Sequence, residues 1–278
     1  MDILEWDDFI APDCGLEGES LAITIGVFDG VHRGHQALLK QITAGPFLPA
    51  ALTFRQNPMR SLSPQNYPGD ISSLEQKLKM LECLGVRRTV LIDFSENFSK
   101  MKGRDFIDLL KRSGRVKYFA LGRNFRCGYR LDIGVPEIKE MTRSEGIETE
   151  ALEPVMEGGR PVSSSRIRAA IAAGDLAAAA ALLGRNVRID LRGLPAADTG
   201  GGFWYDAASA FRITPRPGTY RVLVYGTASG GKKETEISIN DGKIFIPGKP
   251  DEPACAAESV EFIEQASGNG KPDAGESE

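Results

Sequence analysis

The stretch LAITIGVFDGVHRGH, residues 21–35, decides the fold. Leu21–Val27 (LAITIGV) is a largely apolar run rich in β-branched side chains, which reads as a buried strand. Gly34–Ile42 (GHQALLKQI) reads as a helix, so strand, glycine-bearing loop and helix follow in direct succession. In a parallel α/β sheet such a loop lies at the carboxyl end of a strand, where ligands bind. The helix N-terminus offers free N–H groups and a positive dipole to phosphate. Gly30 and Gly34 would let the backbone approach that phosphate without a Cβ in the way. His32 and His35, the only two histidines of the chain, are spaced to straddle the first helical turn and donate to phosphate oxygens.

Outward from this loop the pattern repeats. Ala50–Phe54 is a second apolar strand, and Ser73–Leu84 carries Leu74, Leu78 and Leu81 at helical spacing behind a serine cap. Thr89–Phe94 is strand-like, Arg104–Arg112 helical, Tyr118–Leu121 strand-like and Val135–Ser144 helical. Strand and helix alternating in this way predict an α/β domain with a parallel sheet built from βαβ units. The alanine-rich stretch Arg166–Leu183, interrupted at Gly174-Asp175, closes that domain at about Gly184. Residues 186–264 hold short β-like runs (Tyr220–Tyr225, Thr235–Ile239, Lys243–Ile246, Ser259–Ile263) between glycine-rich turns. They predict a small antiparallel, barrel-like β domain. Residues 1–20 are left as an N-terminal segment, and 265–278 (QASGNGKPDAGESE) have the composition of a disordered tail.

Bulk properties narrow the function. The net charge of −4 in 278 residues, with a pI near 5.5, argues against a nucleic-acid or membrane-surface partner but leaves local phosphate binding open. The four cysteines (Cys14, Cys83, Cys127, Cys255) contain no C-x-x-C pair, so neither a zinc site nor a disulfide framework is expected. The opening MDILEWDDFI lacks the basic and apolar regions of a secretory signal, and no apolar run is long enough to span a bilayer. A cytoplasmic location follows as the expectation.

The loop GVFDGVHRGH resembles the H-x-G-H signature of nucleotidylyltransferases, in the form found in the bacterial bifunctional riboflavin kinase/FAD synthetase family. Three further segments match in order and spacing. Thr53-Phe-Arg-Gln-Asn-Pro58 is similar to the family's T-F-x-P-H-P loop. Gly122-Arg-Asn-Phe-Arg-Cys-Gly128 resembles its G-x-[DN]-F-x-F-G loop, and Val162-Ser-Ser-Ser-Arg-Ile-Arg168 its S-S-T-x-I-R helix start. The likeness spans about residues 20–184 and implies a Rossmann-like adenylyltransferase domain that joins the AMP of ATP to FMN, with ATP accompanied by Mg²⁺.

That resemblance assigns His32, His35, Asn124, Ser164 and Arg168 to the reacting phosphates, and Gly26, Phe28, Asp29, Gly30, Gly34, Asn57 and Ser163 to substrate binding. Phe28, Asp29 and Phe125 read as supports of their loops. No cluster of carboxylates suggests a protein metal cage. Small-molecule substrates are the only partners expected. Two features depart from the family. Its second-loop histidine is Asn57 here, and Arg55 stands where Asp is common. In the C-terminal region Gly193-Leu-Pro-Ala-Ala-Asp198 is the nearest stretch to the kinase motif G-F-P-T-A-N, and Pro217-Gly-Thr-Tyr-Arg-Val222 resembles its later G-V-Y-A-V strand. Ala196 and Asp198 then replace the motif's Thr and Asn, and the β domain reads as a degenerate kinase barrel. Transfer to another phosphorylated acceptor, or a flavin or nucleotide sensor that does not turn over, also fits the H-x-G-H loop.

Overall fold

The computed structural model describes residues 1–11, 18–112, 115–226, 231–248 and 257–266. Cys14, Cys255 and the expected tail beyond Ala266 lie outside them. The chain divides into two compact units, Met1–Arg166 with Leu182–Gly184, and Ile167–Ala181 with residues 185 onward.

The first unit begins with β1 (Asp2–Glu5) and α1 (Trp6–Ile10), then β2 (Leu21–Ile25), α2 (Arg33–Thr43), β3 (Leu48–Phe54) and the short α3 (Met59–Leu62). Next come α4 (Leu74–Cys83), β4 (Arg88–Ile92), α5 (Glu96–Ser99), α6 (Gly103–Arg112) and β5 (Val116–Gly122). A two-residue ladder joins β6 (Arg126–Cys127) to β7 (Ile133–Gly134), ahead of α7 (Val135–Arg143) and β8 (Glu148–Leu152). A small hairpin of β9 (Met156–Glu157) and β10 (Arg160–Pro161) leads into α8 (Ser164–Ala172) and α9 (Leu176–Leu183).

Six strands form a sheet in the order β1-β4-β3-β2-β5-β8, every pair parallel. From β2 the chain winds first to β3 and β4 on one side, and later to β5 and β8 on the other. The order therefore reverses between β2 and β5, and ligands in such sheets bind at the carboxyl ends of the strands flanking that point. Every residue of β2 and of β4 is buried, as strands covered on both faces require. The core beneath joins Leu21, Ile23, Leu52, Val90 and Phe119 to Phe106, Ile107 and Leu110 of α6.

Three local results differ from the sequence-based expectation. Residues before Leu21, expected only as a leading segment, supply β1 to the sheet edge, and Trp6 stacks on Phe106 with ring centroids 5.3 Å apart. The alanine-rich stretch breaks where expected, Gly174 taking a left-handed φ of 76° and ending the first of two helices, but the stretch does not stay in one unit. Its residues 167–181 belong to the second unit, so the boundary at Gly184 is not a simple cut. In α4 the buried positions are Lys77 and Leu81, whereas Leu78 is only half-buried.

The second unit carries β11 (Arg188–Asp190), β12 (Ala196–Asp198), β13 (Gly202–Asp206), β14 (Gly218–Tyr225), β15 (Lys232–Asn240), β16 (Lys243–Pro247) and β17 (Ser259–Gln265). They form one antiparallel sheet in the order β11-β17-β14-β15-β16-β13-β12. Alternation along β14 buries Tyr220, Val222 and Val224 and turns Arg221 outward, the period-two pattern of a strand with one covered face. Among the described residues, no helix is long and apolar enough to cross a membrane.

Candidate active site

The polypeptide between β2 and α2 departs sharply from regular geometry. Phe28 sits in the left-handed region (φ 51°) with its side chain fully buried, and Val31 and Gly30 also have positive φ. Strain of this kind costs on the order of 1–3 kcal/mol per residue and persists only when the surroundings over-determine it. Here they do. The Asp29 carboxylate accepts from the backbone N–H groups of Ile71 (3.0 Å) and Ser72 (3.1 Å), and Gly30 donates to Ser72 Oγ at 3.1 Å. A Cβ on Gly30 would lie 2.8 Å from Ile71 Cγ2, so packing against the 70–73 segment by itself requires glycine here.

The loop then delivers its two histidines together. Their rings stack with centroids 3.6 Å apart at 13°, and the Phe28 and His35 rings pack edge-to-face with centroids 5.0 Å apart. His32 is the N-cap of α2: its Nδ1 accepts from the His35 backbone N–H at 3.3 Å. Accepting at Nδ1 leaves Nε2 to carry the proton, which makes His32 a donor on that side. Gly34 leaves space for this ring, since a Cβ there would come within 3.2 Å of His32 Cε1. His35 is held well below the ordinary imidazole pKa, chiefly by burial and then by the neighbouring His32 and Lys77. Its buried Nδ1 has no hydrogen-bond partner among the described residues.

Both histidines line a cleft of about 270 Å³ at the switch point. Gly26 and Gly34 also line it, together with Asn124 and Phe125 after β5, Leu152 at the end of β8, Glu153 to Val155 beyond it, and Val162. Of the residues singled out in the sequence, Gly26, His32, Gly34, His35 and Asn124 meet in this cleft. Ser164, the first residue of α8, donates through Oγ to the carbonyl of Asp29 at 3.2 Å, which ties this helix start to the histidine loop. Ser163 Oγ accepts from Arg166 N at 3.4 Å as an ordinary N-cap. Arg168 follows one turn along α8, in the stretch grouped with the second unit. Phe28, Asp29 and Gly30 are buried parts of the loop, outside the cleft lining.

Asn57 stands apart from the cleft lining. It is buried, and its Oδ1 accepts from Met59 N at 3.1 Å at the start of α3. Arg55 donates to Glu5 at the end of β1 (2.5 Å) and to Asp93 beyond β4 (3.1 Å), so local acids compensate the unusual cation. Sequence reasoning missed Lys77, whose ammonium reaches the ends of β2 and β3. It also missed the 70–73 segment that clamps the loop, for which the signal was the S-x-x-Q capping box at Ser73 and Gln76.

A parallel α/β sheet with this histidine loop at its switch point defines a protein of the nucleotidylyltransferase type. Residues 16–166 match the model of the FAD synthetase family, and the chain belongs to that family. The bifunctional riboflavin kinase/FMN adenylyltransferase of Escherichia coli strain K12 is 31% identical over 83% of this chain and 82% of its own length. Its Haemophilus influenzae namesake is 28% identical over 78% and 76%. The crystal structure of a macrolide-efflux protein from Streptococcus pneumoniae superposes with a TM-score of 0.79 at 22% identity, covering 98% of this chain and 93% of that one. At this identity the likeness concerns the fold.

Proposed function

We propose that this protein is an FAD synthetase that transfers AMP from ATP to FMN and releases pyrophosphate, without phosphorylating riboflavin. The observation that carries the reading is the stacked His32–His35 pair lining the cleft at the β2/β5 switch point together with Asn124. A phosphate oxygen of FMN attacks the α-phosphorus of ATP in line; the P–O bond to the β-phosphate breaks and pyrophosphate leaves. Such transfers depend on positioning and on neutralising charge on phosphoryl oxygens. His32 donates from Nε2. His35, neutral in the free protein, gains affinity for a proton once anionic phosphates stand beside it. Asn124, Ser164 and Arg168 serve the pyrophosphate side. ATP would enter as its Mg²⁺ complex, and the ion would help to neutralise charge on the phosphates. Among the described residues no three His, Cys, Asp or Glu side chains gather to hold it. Release of pyrophosphate over many turnovers, dependent on FMN, tests the reading and excludes a sensor that only binds.

Asn57 tunes this reaction. Restoring the family's histidine in Asn57→His adds a donor that titrates near neutrality. Apparent FMN affinity or turnover then changes several-fold while the ATP requirement stays intact. Steady-state kinetics with varied FMN measure this; two unchanged parameters would mean that the Gln56–Pro58 loop does not approach the reacting groups.

A further inference from the structure

Lys77 is a buried cation that the reaction described above does not use. It lies on the covered face of α4, only 6% exposed. Its Nζ donates to Phe54 O at 2.6 Å, Thr53 Oγ1 at 3.3 Å and Val27 O at 3.4 Å. The Thr53 hydroxyl gives its own proton to Val27 O at 3.0 Å, so it meets the lysine as an acceptor. An ammonium has three protons, and these three acceptors take them all. None remains for a substrate.

The acceptors sit where two loops leave the sheet. β2 and β3 pair in parallel register as far as Ile25 and Leu52, followed by a last backbone bond from Gly26 N to Leu52 O at 3.0 Å. Beyond it, one chain enters the loop bearing His32 and His35, and the other enters Arg55–Pro58. Lys77 bridges them at Val27 and Phe54. The charged groups that face it are Asp29 and Asp70, which favour its charge, and His35, whose pKa is lowered most by burial, then by His32 and then by Lys77. Both acids are themselves anchored, Asp29 by Ile71 and Ser72 N–H, Asp70 by Arg60 and Tyr67. A leucine or methionine would cover the same helix face without the cost of burying a cation. Packing alone therefore does not account for a lysine here.

We propose that Lys77 is a positioning residue for adenylyl transfer, a clip that holds the histidine loop and the Arg55–Pro58 loop at a fixed separation so that the FMN phosphate meets the α-phosphorus in line. This rests on the functional reading above. The clip needs the protonated amine. Burial lowers the Lys77 pKa from 10.5 to about 8, against the opposing pull of Asp29 and then Asp70. Because the folded value lies below the unfolded one, the cost of the buried charge is relieved as pH rises from 8 towards 10.5. Across that interval Lys77 stabilises the fold increasingly while it loosens the site, so an alkaline loss of activity from this source is not unfolding.

The test is the pH profile of FAD formation between pH 6.5 and 9.5 for the wild type, Lys77→Arg and Lys77→Met, with circular dichroism at each pH and ATP calorimetry. In the wild type kcat/KM should fall through one titration with a midpoint of about 8 while the protein stays folded. Lys77→Arg keeps a charge that does not titrate and should lose that limb. Lys77→Met should lower kcat by roughly 30- to 100-fold, the scale expected when reacting groups are misplaced by about 1 Å, with ATP affinity changed by less than about 3-fold. A wild-type profile flat to pH 9.5, or the same limb persisting in a folded variant, would overturn the proposal. If Lys77→Met does not fold, the wild-type and Lys77→Arg profiles decide alone. No FAD from the wild type at any pH would overturn the functional reading and the proposal with it. Failure of the clip alone leaves wild-type FAD formation intact.

Discussion

His32→Ala and His35→Ala each lower FAD turnover by about 10²–10³, the loss of roughly 3–4 kcal/mol expected when one transition-state donor is removed. The two side chains share one stacked pair at the cleft mouth, so their losses should not add in the double variant. Folding changes much less than activity. His32 contributes an N-cap bond, and a cap is worth about 1 kcal/mol. His35 has a pKa below the unfolded value of 6.5, so its contribution to stability is complete above that pH and is lost as pH falls through it. Thermal melts of His35→Ala should consequently depend less on pH below 6.5 than those of the parent. An FAD assay beside circular dichroism at pH 7.5 checks the main effect; near-wild-type activity in both variants would sink the site assignment.

Riboflavin incubated with ATP and Mg²⁺ stays unchanged under conditions in which FMN becomes FAD. A kinase must hold the triphosphate, place Mg²⁺ and present the flavin's primary hydroxyl for in-line attack. In the segment aligned with the kinase motif, Ala196 has no hydroxyl to offer metal or phosphate. Asp198 lies on the exposed strand β12, where its Oδ1 accepts from Gly200 N at 2.8 Å and the adjacent Thr199 hydroxyl donates to Gly202 O at 3.1 Å. These groups close the hairpin from β12 into β13. Upstream, α9 ends at Leu183 and β11 begins at Arg188, too short a connection for a glycine-rich phosphate loop. Any kinase rate should lie on the order of 100-fold or more below that of an intact kinase, because loss of a single charge-stabilising group costs that much. The relatives from Escherichia coli and Haemophilus influenzae carry both activities in their names, so this expectation separates the chain from them. Chromatography of flavins after incubation with riboflavin measures it. FMN formed at a rate comparable to FAD would show that the β domain had been misread.

Much of the first unit was legible because its strands have largely apolar stretches that both faces of a parallel sheet must bury, as in Leu21–Ile25 and Val90–Ile92. The histidine loop was legible from its place between such a strand and a helix. The elements that escaped are polar or at edges. Glu148–Leu152 (ETEAL) is the outermost strand beside β5 and shows no apolar run, and Asp2–Glu5 is the opposite edge. Lys77 escaped for a different reason: leucine spacing in α4 suggested an apolar stripe through Leu78, and a lysine reads as solvent-facing unless its acceptors are known. Those acceptors, Val27, Thr53 and Phe54, are distant in sequence and meet it only through the sheet order. The same limit applied to Gly30, whose partners Ile71 and Leu183 no local pattern could reveal.

The most direct test is flavin chromatography with pyrophosphate detection after incubating the purified protein with FMN, ATP and Mg²⁺. FAD and pyrophosphate should appear in equal amounts over many turnovers, with ATP preferred to CTP and no product when FMN is omitted. FMN left unchanged while the protein is folded and binds ATP, or a different nucleotide or acceptor consumed in its place, would contradict the assignment.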